Sequence, residues 1–141
     1  MSHPINRISW PGGQLDHVGE LSIEIARAEI SYHSDCRLCG EAWLESARAI
    51  TVGLVIELLL GTTTEIENEK CVLCKTIATF EPEQWFPLMP YRGRMVSFEI
   101  AIDRHALPTT NEPWAEGNLF ALITIVDEDA GPTVRACVPL R

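Results

Sequence analysis

Residues 36–74 read CRLCGEAWLESARAITVGLVIELLLGTTTEIENEKCVLC, and the interpretation of this stretch decides the fold. From Glu41 onward the apolar positions Trp43, Leu44, Ala47, Ile50, Thr51, Leu54, Val55, Leu58 and Leu59 recur at a helical period, and Gly61 stands where a helix would stop. The pattern predicts one long amphipathic helix over about 41–60. Gly53 lies inside it at a cost of about 1 kcal/mol relative to Ala. Two C-x2-C pairs, Cys36 with Cys39 and Cys71 with Cys74, bracket this helical pattern.

Pro11, Gly12 and Gly13 interrupt the N-terminal stretch, so residues 1–19 read as an irregular arm and 20–141 as a single α+β domain. Leu21, Ile23 and Ile25 alternate with polar residues and are followed by Ala28, Ile30 and Tyr32. The parity changes between Ile25 and Ala28, which predicts a bulged strand, or two short strands, over roughly 20–33. Toward the C-terminus Pro82, Pro87 and Pro90 mark a loop, after which Val96, Phe98, Ile100 and Ile102 alternate as in a half-buried strand. Residues 118–127 and 133–140 predict two more strands, joined as a hairpin through Glu128, Asp129, Ala130, Gly131 and Pro132. The expected fold is α+β, a mostly antiparallel sheet with one dominant helix and a pair of zinc knuckles.

The composition narrows the classes of function. With 141 residues, 46% of them hydrophobic, the chain is long enough to bury a core without help from metal or disulfides. A net charge of -9, from 20 acidic and 11 basic groups, opposes nucleic-acid binding, which calls for a surplus of Lys and Arg. An anionic membrane surface is disfavoured for the same reason. The most apolar run, from Ile50 to Leu60, contains Glu57 and is too short to span a hydrocarbon core of about 30 Å. The N-terminus shows no apolar segment after a basic start, which points to the cytoplasm. In a reducing compartment paired cysteines are more often metal ligands or redox groups than disulfides.

Four thiolates in two C-x2-C pairs match the tetrahedral set that Zn2+ takes in closed structural sites, so Cys36, Cys39, Cys71 and Cys74 are the expected ligands. Gly40 suits a tight knuckle after Cys39. Thiolate tetrahedra also hold single iron ions, and Cys36 to Gly40 has the C-x2-C-G form used in rubredoxins, but the second pair lacks the glycine and iron ranks below zinc. A helix over 41–60 carries the chain about 30 Å from Cys39. The ten steps from Gly61 to Cys71 span at most roughly 33 to 36 Å, so a shared site requires 62–70 to run back nearly straight, as a strand. A second helix, with Thr64 and Glu67 as a capping box, is the competing reading of that segment.

Cys39-Gly40-Glu41, placed 32 positions before a C-x2-C pair, resembles the zinc nucleoside deaminases of the cytidine deaminase type. The resemblance implies a three-ligand site of Cys39, Cys71 and Cys74 with Glu41 as acid/base, and leaves Cys36 surplus. Otherwise Glu41 is a first-turn carboxylate complementing a helix dipole. Thiol redox chemistry is a further alternative, with one thiol of Cys36/Cys39 near a helix N-terminus where its pKa falls. His33, three residues before Cys36, reads as a supporting or exposed residue, and Cys137 as a small core residue in a strand.

The acidic groups Glu65, Glu67 and Glu69, and Asp127, Glu128 and Asp129, read as a solvated strand face and a loop tip. A closed four-thiolate site leaves no position for water, so an interaction or adaptor module outranks a hydrolytic enzyme. Its partner would be a protein, and a basic one suits the acidic surface.

Overall fold

In a computed structural model, residues 6–9, 15–18, 21–31, 36–103, 105 and 119–140 are described, with side chains left aside at 6–9, 15–18, 62–66 and 69–72. Their secondary structure is β, so the α+β expectation with a helix over 41–60 is overturned. The chain forms β1 (Asn6–Ser9), β2 (Leu15–Val18), β3 (Leu21–Ser31), β4 (Arg37–Ser46), β5 (Ile50–Ile66), β6 (Glu69–Phe80), β7 (Phe86–Leu88), β8 (Arg94–Ala101), β9 (Leu119–Asp127) and β10 (Gly131–Pro139). One antiparallel sheet has the order β1-β6-β5-β9-β10, with β7 also paired to β5; the other has the order β2-β3-β4-β8.

The segment read as a helix is two strands. β4 ends at Ser46, whose Oγ accepts from the Arg48 backbone N–H at 3.2 Å while its carbonyl accepts from Tyr91 N–H at 2.8 Å. A serine bonding its own backbone two residues on is a turn device. β5 then runs between β6 and β9 in the middle of its sheet. Its even positions Val52, Leu54, Ile56 and Leu58 face the other sheet, while Leu59 joins a second cluster on the opposite face. A strand covered on both faces carries apolar residues without alternation, which periodicity cannot distinguish from a buried helix. Gly61 lies inside β5 opposite Cys74 and ends nothing. A two-residue turn at Glu67 and Asn68, both at positive φ, joins β5 to β6, so no second helix starts at Thr64.

The core lies between the sheets. It is filled by Leu21, Ile23, Ile25, Leu38, Ala42 and Leu44 from one sheet, and by Val52, Ile56, Leu58, Ile123, Ile125 and Val134 from the other, all buried. The strands expected near 20–33, 96–102 and 118–140 are present as β3, β8, β9 and β10, and the parity change in β3 is a register shift between Ile25 and Arg27. Gly131, at φ +85, closes the β9–β10 hairpin in a backbone conformation that side chains with a Cβ rarely adopt. Within residues 1–19, read as an irregular arm, β1 pairs with β6 and β2 with β3. Among the described residues no helix is long and apolar enough to cross a membrane.

Candidate functional site

The cysteine pairs are placed on two different sheets. Along β4 the residues Leu38, Gly40, Ala42 and Leu44 point into the core and Cys39, Glu41 and Trp43 point outward. Cys36, just ahead of β4, is buried in the core, whereas Cys39 is half-exposed on the outer face. Two cysteines three positions apart on extended chain point to opposite sides, so this pair does not converge on one ion. Cys74 lies on β6, on the far face of the other sheet, among Leu59, Phe120, Leu122 and Cys137. Two packed sheets, about 10 Å apart, therefore separate Cys39 from Cys74, whereas ligands of one zinc each sit about 2.3 Å from it. The side chain of Cys71 lies outside the described residues, as does His33. Among the described residues no group of three or more His, Cys, Asp or Glu side chains is gathered to hold a metal, and the expected zinc knuckles are corrected accordingly.

The other sequence readings of this region change with the fold. Glu41 is not in a helix; it sits on the outer face of β4 and pairs with Arg27 at 3.5 Å, beside the Arg27–Glu29 ion pair. Gly40 is not part of a knuckle. A Cβ there would meet the Phe98 ring at 2.6 Å and the Arg27 carbonyl, so the glycine lets β3 and the β8 aromatic close over β4. Among the described residues no helix N-terminus faces Cys36 or Cys39, so the device expected to lower a thiol pKa is not among them. The thiols with resolved shifts move the other way. Burial pushes Cys137 up to about 12 from an ordinary 9.0, with Cys74 adding to it and Arg135 opposing. Burial also raises Cys74, assisted by Glu57. Such thiols are neutral and unreactive at physiological pH.

The acidic groups separate by role. Asp127 is buried, accepting from the Asp129 N–H at 2.9 Å and lying 3.3 Å from Arg48, so it braces the β9–β10 turn and is no docking charge. Glu24, Glu29, Glu41, Glu45 and Glu99 project from the outer face of β3, β4 and β8, where Arg27 and Arg37 answer some of them. This face is acidic.

A groove of about 200 Å3 opens at the flank where β8 forms the border of its sheet. Its walls are the inward residues of β8, Val96, Phe98 and Ile100, and the inward residues Leu54 and Ile56 of β5. Phe80 and Phe86, the last residue of β6 and the first of β7, close one side, and the connection Glu81 to Gln84 forms its rim. Phe80, Phe86, Phe98 and Ile100 are half-buried although each packs against the core. Glu81 and Glu83 set two carboxylates at the rim, and Glu99 adds a third on the outer face of the same border strand. Arg37 pairs with Glu99 at 2.8 Å, and Arg94 lies 5.3 Å over the Phe86 ring and donates to the Pro87 carbonyl at 3.1 Å. The alternation of Val96, Phe98 and Ile100 was legible as a strand, but that the strand is a border, facing a Pro-containing connection across a cleft, depends on sheet order and had no signal in the sequence.

The described residues thus form an antiparallel β-sandwich with one acidic face and, among them, one open, apolar flank. No protein-family model matches this chain, and no curated protein matches it. Among solved structures it is similar to the sporulation control protein Spo0M from Bacillus subtilis, with a TM-score of 0.51 at 10% identity. The match covers 88% of this chain and 50% of that one, so the chain spans half the length of Spo0M, and the likeness is one of fold.

Proposed function

We propose that this chain is an interaction module of the cytoplasm that works through protein contacts, and that the groove beside β8 is where it holds a partner. The observation that supports the reading is the juxtaposition of half-buried Phe80, Phe86, Phe98 and Ile100 with Glu81 and Glu83 at the rim and Glu99 on the outer face of the same border strand. Apolar area left in water forgoes about 25 cal/mol per Å2 that a docked chain would recover. At about 200 Å3 the groove is smaller than the roughly 300 to 1,000 Å3 typical of small-molecule pockets, and it suits one or two side chains of a polypeptide better. Carboxylates at the rim speed encounter with a basic partner and reject an acidic one.

The test is selection of random ten-residue peptides displayed on phage against the whole chain, followed by counter-testing on Ile100→Trp, which fills the groove from its half-buried wall. Clones that bind the wild type and lose at least tenfold in affinity on the variant are expected. No enrichment, or clones indifferent to a variant whose circular dichroism shows it folded, would overturn the reading.

A further inference from the structure

We infer that the partner docks as a β-strand on the open border of β8, and that this strand alternates apolar with basic residues. The inference rests on the groove reading and specifies its ligand. β8 pairs with β4 along one side in an unbroken register from Arg94 opposite Leu44 to Ala101 opposite Arg37, and among the described strands nothing pairs with its other side. A border strand presents a row of unpaired N–H and C=O groups, and proteins usually blunt it with proline, a bulge or charge. β8 has no proline and no register shift, and its only charged residues are Arg94 at its start and Glu99. The border is therefore competent to accept another strand.

The groove lies on the inner side of that border, and this dictates the residues of the added strand. Successive side chains of a strand point to opposite faces. Every second residue would enter the groove and meet Leu54, Ile56 and Phe80, which requires apolar side chains of moderate size. The connection carrying Glu81 and Glu83 stands across the groove from β8, and among the described residues the ion pairs include neither of them. The exposed Arg37–Glu99 pair is of a kind worth little, so Glu99 can share its charge. Arg94, the one cation at this site on β8, is held over Phe86 at the far end. The alternate positions point to the outer face beside Glu99, which favours Lys or Arg there, while Glu81 and Glu83 across the groove add a field that attracts a cationic strand. A second copy of this chain fits poorly. Border-to-border pairing would set Glu81, Glu83 and Glu99 against their equivalents on a molecule that also carries a charge of -9.

The experiment uses the whole 15N-labelled chain and four capped synthetic peptides: Lys-Val-Lys-Ile-Lys-Val-Lys, the same peptide with Glu for Lys, and the Lys peptide N-methylated at one or the other set of alternate amides. The Lys peptide is expected to slow hydrogen exchange at least tenfold at alternate amides of Arg94 to Ala101. Its affinity should fall with salt and drop at least tenfold on the double variant Glu81→Lys, Glu83→Lys. The Glu peptide, and the N-methylated peptide on the face that pairs, should bind at least tenfold more weakly. Binding without slowed β8 exchange, equal binding of the Glu or both N-methylated registers, or slowing that follows the concentration of the chain alone would overturn the inference, the last in favour of self-association. If the phage selection yields clones sensitive to Ile100→Trp while these controls fail, strand pairing falls and the interaction module stands; if the selection also fails, both fall.

Discussion

The two flanks of the sandwich are made from strands of similar pattern and end in opposite states. At one, β10 contacts β3 and β2 of the facing sheet, and its inward residues Val134, Ala136 and Val138 are buried. At the other, β8 carries the same alternation in Val96, Phe98 and Ile100, but only Val96 is fully buried. Alternation decides which side of a strand is apolar; what lies across from that side decides whether the apolar residues become core or docking surface. The closed flank contributes stability, and the open one keeps apolar area in reserve.

Substitutions inside the sandwich should therefore cost most. Ile123, fully buried on β9 opposite Ile56 and Ala136, meets neighbours on every side. Ile123→Ala should lower unfolding free energy by about 2 to 5 kcal/mol in urea denaturation, through lost transfer energy and the cavity left behind. A loss below about 1 kcal/mol would mean that the interior is loosely packed and would dissolve the contrast between the flanks.

A buried thiol makes the closed flank sensitive to pH. Cys137 lies on β10, buried, and its thiol stays protonated up to about 12. In the unfolded chain it releases its proton near 9.0, so the unfolded state binds fewer protons above that pH. The stabilising contribution of the neutral thiol is complete below pH 9 and is lost as pH rises toward 12. The gap between the two values caps the loss at about 4 kcal/mol. Denaturation midpoints of wild type and Cys137→Val between pH 8 and 11 check this: the variant should fall less steeply. Alkylation gives a second measure, since half-exposed Cys39 should react with iodoacetamide before Cys137 does.

Gly40 links the interior to the open flank. An added methyl would press on the Phe98 ring and the Arg27 carbonyl, so Gly40→Ala should destabilise by about 1 to 3 kcal/mol, as overpacking does. It should also shift the aromatic resonances of Phe98 in the groove wall. Unmoved Phe98 resonances would show that the ring does not depend on this glycine.

Much of the β-structure was legible, and the reasons are local. β3 and β8 each keep one face toward the core, so their sequences alternate, and even the extra residue in β3 shows as a parity change at Ala26, whereas β9 and β10, which also bury Phe120, Leu122 and Cys137 on the far face, show as short apolar runs either side of a turn. β5, at 17 residues far longer than either, likewise has two buried faces, with Leu59 on the side opposite Leu58. Two buried faces erase alternation and leave a run that fits a helix equally well. The content of Ile50, Thr51, Val52, Val55 and Ile56, all β-branched, was the signal favouring a strand. The cysteine spacing misled for a related reason. C-x2-C converges on one point in a turn, whereas Cys36 and Cys39 flank an extended chain and face opposite ways. The groove was illegible because Leu54, Phe80 and Phe98 meet only through sheet order.

The smallest effect on stability should come from the open flank, and there it discriminates best. Ile100 lies on the border strand, half-buried, with the groove on its inner side. Truncation leaves no enclosed cavity, because solvent already reaches the side chain, so Ile100→Ala should change unfolding free energy by less than about 1 kcal/mol. Ile123→Ala removes the same atoms at several times that cost. The ratio between the two isoleucines measures how far the flanks differ. If Ile100→Ala instead costs as much as Ile123→Ala, the groove is closed in solution and its apolar residues are core. If it costs little and also weakens the Lys-containing peptide, the side chain serves the bound partner more than the fold, which is the division of labour that the two flanks imply.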